Sequence, residues 1–146
     1  MNGLAGDSTA AAGTRRTRGL PGEQEMGTQA MMERILWIKD DRDAGRLYEA
    51  GLALLYKHSP KCSVCRAALH EVEDFMQQYP DAEVYGVDVL AHRDLSQQVA
   101  ARTGITHESP QVIIFRGGKP LWSDSHFGIT AGAIGQQFES ARSWNG

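Results

Sequence analysis

Cys62 and Cys65 are the only two cysteines among 146 residues, and their Cys-x-x-Cys spacing is the clearest chemical signal in the chain. They close the stretch Leu54-Leu55-Tyr56-Lys57-His58-Ser59-Pro60-Lys61-Cys62-Ser63-Val64-Cys65. An apolar run of strand character ends at Lys57, a polar turn follows, and a helical pattern begins at about Cys62. A helix N-terminus leaves backbone N–H groups unpaired and carries the positive end of the dipole, so a sulfur there is favoured as thiolate. The thiolate is the nucleophile of disulfide exchange. Residues three apart lie on nearly one helix face, which puts Cys65 within reach of the Cys62 sulfur. Cys65, already inside the first turn, is expected to be the more buried and less reactive thiol. Cys62 would attack a disulfide first, and Cys65 or an external thiol would break the mixed disulfide. Lys57, His58 and Lys61 read as exposed and solvent-screened, which makes the helix terminus the main cause of activation.

The same residues admit other chemistry. His58, Cys62, Cys65 and His70 offer four ligands of the kinds tetrahedral zinc takes. Structural zinc sites, however, draw their second pair from elsewhere in the fold, and His70 lies more than two turns up the helix from Cys62. Inert buried cysteines are the plainest alternative. Pro110 stands directly before an apolar run, where a cis peptide bond would turn the loop towards the Cys pair and offer backbone groups to an extended substrate. Ser109 would then lie beside Cys62. A plain strand-start proline is the alternative. His107 and His126 fall in loops near strand ends. Asp88 reads as a strand-end carboxylate in solvent, and Trp37, Trp122 and Trp144 read as packing residues.

The elements that must position these groups follow from the apolar pattern. Residues 34–38 form a short strand, 41–48 a helix, and 51–57 a nearly all-apolar strand of the kind found at the centre of a sheet. In the Cys-bearing helix, Val64, Ala68, Val72, Phe75, Met76 and Tyr79 recur at three- and four-residue steps. Pro80 and Asp81 end it. Residues 84–89 form a third strand. Asp94 caps a helix that stops at Gly104, a residue suited to the left-handed position after a helix end. Residues 112–115 form a buried strand, Gly117-Gly118 a hairpin turn, and 120–122 the return. Thr130 opens a last helix with Ile134, Phe138 and Ala141 on one side. Parallel crossovers, an antiparallel hairpin and a covering helix give an α/β, thioredoxin-like fold: a central mixed sheet of four to five strands flanked by helices.

Size and composition fit this reading. The chain is long enough for one domain with its own core. Its 41% hydrophobic and 23% charged content is ordinary for a globular protein. Residues 1–30, rich in Gly, Ala, Thr, Ser and Arg, cannot bury enough surface to order themselves and read as a disordered tail before a domain at 31–146. A net charge of -3 suggests neither a nucleic-acid nor an anionic-membrane partner. No apolar stretch approaches the roughly 20 residues a membrane helix needs. With no apolar signal core and only two cysteines, the cytoplasm is the expected compartment.

Four segments carry a resemblance. They are Lys57-His58-Ser59-Pro60-Lys61-Cys62, His92-Arg93-Asp94-Leu95-Ser96, Thr106-His107-Glu108-Ser109-Pro110-Gln111 and Ser125-His126-Phe127-Gly128-Ile129-Thr130. In this order the chain resembles the YtxJ-like bacilliredoxins from about Glu33 to the last helix. The resemblance implies a thioredoxin-like fold and exchange with bacillithiol, a low-molecular-weight thiol. It implies Cys62 as the attacking cysteine and Ser109-Pro110 as the cis-proline loop. Members of that family carry Ser where this chain has Cys65, so the chain resembles a dithiol variant of a monothiol pattern. The expected activity is reduction of protein–bacillithiol mixed disulfides through Cys62, with Cys65 as resolving thiol and Lys57, His58, Ser59, Pro60, Ser109, Pro110 and His126 binding substrate. The expected partners are S-thiolated or disulfide-bonded proteins and the small thiol, with no other cofactor and no metal. A general protein-disulfide reductase and a non-enzymatic binding module on the same fold remain open.

Overall fold

The computed structural model describes residues 32–144, so the segment read as a disordered tail lies outside the described residues. In chain order the elements are β1 (Leu36–Trp37), α1 (Asp41–Glu49), β2 (Leu52–His58), α2 (Ser63–Gln78), β3 (Glu83–Asp88), α3 (Arg93–Thr103), β4 (Gln111–Arg116), β5 (Lys119–Ser125), a 3-10 turn (His126–Gly128) and α4 (Ala131–Arg142). The five strands form one sheet in the order β1-β3-β2-β4-β5. β1, β3 and β2 run parallel, β4 pairs antiparallel with β2, and β5 pairs antiparallel with β4. This is the thioredoxin-like architecture expected from the element order.

Side chains alternate across a strand, so each face of β2 builds its own core. Leu54 and Tyr56 pack with Val112 and Ile114 under α2 and α4, through Val72, Phe75, Ile134 and Phe138. Ala53 and Leu55 pack with Val87, Ile113 and Phe115 under α1 and α3, through Leu47, Leu95 and Val99. α2 is tied to the start of α4 by Glu71 Oε1, which accepts the Ala131 N–H at 2.8 Å. Thr130 caps α4 by accepting the Ala133 N–H, as its position predicts. Gly117 and Gly118 both take positive φ, 59° and 82°, the conformation a two-residue hairpin turn requires. Gly86 in β3 makes room for a neighbour: a Cβ there would lie 2.7 Å from the Trp37 ring and 2.8 Å from Ile35 Cγ2.

Boundaries differ from the sequence reading in places. β1 is only two residues long, whereas β5 extends to Ser125. His92, not Asp94, occupies the N-cap of α3, and Asp94 falls in the first turn. There its charge still faces the positive helix end, a placement sequence alone does not separate from a cap.

Candidate active site

Parallel strands β2 and β3 end side by side, His58 against Asp88. The chain leaves β2 at that edge and turns through Ser59, Pro60 and Lys61. Cys62 is the N-cap of α2, with extended backbone (φ -108°, ψ 124°). No full capping hydrogen bond closes on its side chain. The Cys65 and Val64 amides nevertheless draw its pKa below the ordinary thiol value, the Cys65 amide most, and the Cys65 thiol adds to this; partial burial opposes them. Cys62 is partly exposed and Cys65 is buried, and both are free thiols.

Cys65 has the opposite setting. Burial raises its pKa, and its neighbour Cys62 raises it further. Two donors act against this: the Ser59 N–H lies 3.4 Å from its sulfur and the Ser109 hydroxyl 3.5 Å. The hydroxyl reaches the site because the Ser109–Pro110 bond is cis and turns the loop before β4 towards α2. Ser109 was expected beside Cys62; the contact its hydroxyl makes is with the Cys65 sulfur.

Beneath the pair lies a polar chain that the sequence did not suggest. The Tyr56 hydroxyl donates to the Cys65 carbonyl at 2.8 Å. It also lies 2.7 Å from His58 Nδ1. A phenol has one proton, so His58 must donate its Nδ1–H to the Tyr56 oxygen, leaving Nε2 as an acceptor in the neutral ring. Burial lowers the His58 pKa, against the pull of Asp88, and favours that neutral form. Burial raises the Tyr56 pKa far above its usual value, and the two cysteines and Glu73 add to it. A buried tyrosine hydroxyl needs a partner, which was the available signal.

Lys57 corrects the sequence reading. Its side chain is not exposed but 0% accessible, among the largest fully buried groups. β2 is covered on both faces, and residue 57 shares the α1/α3 side with Ala53 and Leu55. Its Nζ lies 3.1 Å from His107 Nδ1 and 3.5 Å from the Ser96 carbonyl. Burial lowers its pKa to about 8, with Glu108 opposing. Gln111 holds the same loop, donating to the Thr106 carbonyl at 3.0 Å and accepting the Glu108 N–H at 3.4 Å. Lys57 and Gln111 therefore support the 106–109 segment from behind.

The remaining candidates divide. Pro60 and Lys61 are exposed in the turn before Cys62. His126 takes a positive φ of 55°. Its N–H donates to the Pro110 carbonyl at 3.1 Å, and its Nε2 lies 3.5 Å from Glu108 Oε1. The next residue, Phe127, is 81% exposed. The four groups offered as a zinc set are not gathered, since His70 faces Glu73 at 3.5 Å and His58 faces Tyr56. Asp88 ends β3, as its position predicts, and its Oδ1 accepts the exposed N–H groups of Leu90 and Ala91. No helix among the described residues is long and apolar enough to cross a membrane.

Comparison with known proteins agrees with this geometry. Residues 38–134 match the family model described as monothiol bacilliredoxin BrxC. A solved structure described as a putative oxidoreductase with a thioredoxin fold superposes with a TM-score of 0.68 at 26% identity, covering 75% of this chain and 96% of that one. Mitochondrial thioredoxin 3 from Saccharomyces cerevisiae gives a TM-score of 0.62 at 13% identity, over 78% and 98% of the two chains. Thioredoxin from Trypanosoma brucei brucei gives 0.60 at 16%, over 75% and 92%.

Proposed function

The chain belongs to the monothiol bacilliredoxin family, a thioredoxin-fold group of thiol–disulfide redox proteins, and from that premise we propose that it removes bacillithiol from protein mixed disulfides through Cys62. The observation that carries the reading is the contrast between the two thiols. The partly exposed one stands at the N-cap of α2, whose amides lower its pKa, and the buried one is shifted the other way by burial.

In the first step the Cys62 thiolate attacks the bacillithiol sulfur of the mixed disulfide. A Cys62–bacillithiol disulfide forms, and the protein substrate leaves as its thiolate. In the second step Cys65, once deprotonated, attacks the Cys62 sulfur and expels bacillithiol as thiolate. The resulting Cys62–Cys65 disulfide requires two electrons from an external dithiol. Alternatively a second bacillithiol attacks the adduct, giving bacillithiol disulfide and free Cys62. The Ser109-Pro110 loop, whose Ser109 hydroxyl meets Cys65, offers the protein substrate a backbone edge. Exposed Phe127, next to the residue whose N–H donates to the Pro110 carbonyl, offers an apolar surface. We place Lys57 behind that loop as a positioning residue.

The test is removal of bacillithiol from a modified protein, followed by mass spectrometry. Wild type is expected to release the thiol and Cys62→Ser to release none; full activity in the mutant would refute the reading. The nearness of Cys65 supports a second route, general protein-disulfide reduction. Insulin reduction by wild type with a dithiol donor, in the absence of any small thiol, would mark that route.

A further inference from the structure

A cavity opens at the same sheet edge as Cys62. Its volume is about 360 Å³, within the range of small-molecule pockets. Ligands of open α/β sheets bind outside the carboxyl ends of the strands, and this cleft lies at the carboxyl ends of β1, β3 and β2. Trp37, Ile38 and Pro60 supply apolar wall, while Lys39, His58 and His92 supply polar groups. The wall is fixed in place. The Ile38 N–H donates to the Gly86 carbonyl at 2.8 Å and the His92 N–H to the Asp88 carbonyl at 2.9 Å. The Trp37 ring meets His58 edge-on, with centroids 6.1 Å apart.

The charges favour one kind of occupant. Lys39 brings an exposed ammonium and His92 a ring donor. Among the described residues the only carboxylate lining the cleft is Asp88, whose Oδ1 accepts the Leu90 and Ala91 N–H groups. Its charge acts on His58, far from Lys39 in sequence, and the Lys39 end of the described lining carries the one ammonium. His58 Nε2 is an acceptor because Nδ1–H goes to Tyr56. Such a cleft takes a carboxylate near Lys39 and a hydroxyl near His58. Pro60 lines it and stands two residues from Cys62, so their Cα atoms are at most about 7 Å apart. A molecule whose sulfur reacts at Cys62 can therefore lay its other end here.

We propose that this cleft is the subsite for the non-sulfur end of the small thiol, and that it selects thiols bearing a carboxylate and a hydroxyl. The proposal rests on the bacillithiol reading and deepens it. The protein substrate and the small thiol then occupy different sides of Cys62: the polypeptide along Ser109-Pro110 and Phe127, the small thiol against Trp37 and Lys39.

The probe is S-methyl bacillithiol, whose thioether cannot exchange, titrated into the full chain and followed by NMR. The Trp37 indole and the Lys39 and Ala91 amides are expected to shift most. The double variant Lys39→Glu, His92→Ala is expected to weaken binding by about tenfold, because an attractive charge becomes repulsive and a donor is lost. The same variant should lower kcat/KM for bacillithiol disulfide, relative to that for bis(2-hydroxyethyl) disulfide, by a similar factor. Shifts centred on residues 126–129, or unchanged affinity and an unchanged ratio in the variant, would overturn the subsite while leaving the de-bacillithiolation reading intact. Cleft shifts in a protein that cannot release bacillithiol from a modified substrate would support the subsite and sink that reading instead.

Discussion

Replacing Lys57 by Met should make the protein more stable at neutral pH and less sensitive to alkaline pH. The ammonium is fully buried, and its pKa falls from 10.5 to about 8 because water is excluded. At about 1.4 kcal/mol per pH unit, keeping it charged inside at pH 7 costs about 3 kcal/mol. Methionine has a similar length and no charge, so it removes that cost with little change in packed volume. It also removes the contacts to His107 and to the Ser96 carbonyl, each worth about 1 kcal/mol or less. The net gain at pH 7 is about 1–2 kcal/mol.

The pH dependence gives the sharper check. Between about pH 8 and 10.5 the unfolded chain holds the Lys57 proton and the folded chain has lost it, so wild-type stability rises with pH across that window. Below about pH 8 both states hold the proton and the slope from this group vanishes. Urea unfolding of both proteins at about pH 7 and about pH 10 measures the effect, read as ΔG at constant m-value. Relative to the variant, wild type should gain about 2–3 kcal/mol by about pH 10, enough to erase or reverse the order seen at neutral pH. The cysteines and tyrosines titrate in both proteins and cancel in the comparison. A difference that stays constant over this range would show that Lys57 titrates as a solvated amine, and the burial argument would fail.

Three further outcomes follow from the geometry. Alkylation by iodoacetamide should modify Cys62 first, with a rate that rises through a pKa below the ordinary thiol value; Cys65→Ala should move that pKa upwards, since the Cys65 thiol lowers it. Gly86→Ala should cost about 1–3 kcal/mol in thermal or urea unfolding, because the added Cβ collides with Trp37 and Ile35, and the tryptophan fluorescence should change with it. Tyr56→Phe should cost about 1–2 kcal/mol, since the Cys65 carbonyl and His58 Nδ1 each lose a partner; a variant as stable as wild type would show that water replaces the hydroxyl.

What could be read along the chain was local. The turn from β2 into α2 is written in consecutive residues, so the position of Cys62 at a helix start was legible, and so was the buried strand after Pro110. What was not legible depends on pairing. Lys57 looks like the polar end of an apolar run until β3 and β4 close on both sides of β2 and α1 and α3 cover one face. Its parity with Ala53 and Leu55 was the available clue. Its partners, His107 and Ser96, lie 50 and 39 residues away. The hydroxyl of Tyr56 meets the Cys65 carbonyl only because α2 packs on the even-numbered face of β2. The cleft beside Pro60 needs β1, whose two residues are too short a strand to be bounded from pattern alone.

The pKa contrast between the thiols is conditional, and that condition orders the proposed steps. Cys65 is held protonated by burial first, but also by Cys62, which raises its pKa both by charge and through their hydrogen bond. Once Cys62 enters a disulfide it carries no charge and no longer competes for the Cys65 proton. Burial remains, yet the Ser59 N–H and the Ser109 hydroxyl still favour the Cys65 thiolate. The second thiol therefore becomes more acidic when the first is occupied, which is when the proposed route needs it. In Cys62→Ala the Cys65 pKa should lie below its wild-type value, as followed by the ultraviolet absorbance of the thiolate during a pH titration. An unchanged or higher value in that variant would mean that burial alone sets Cys65, and the resolving step would then need activation from the substrate or from a second bacillithiol.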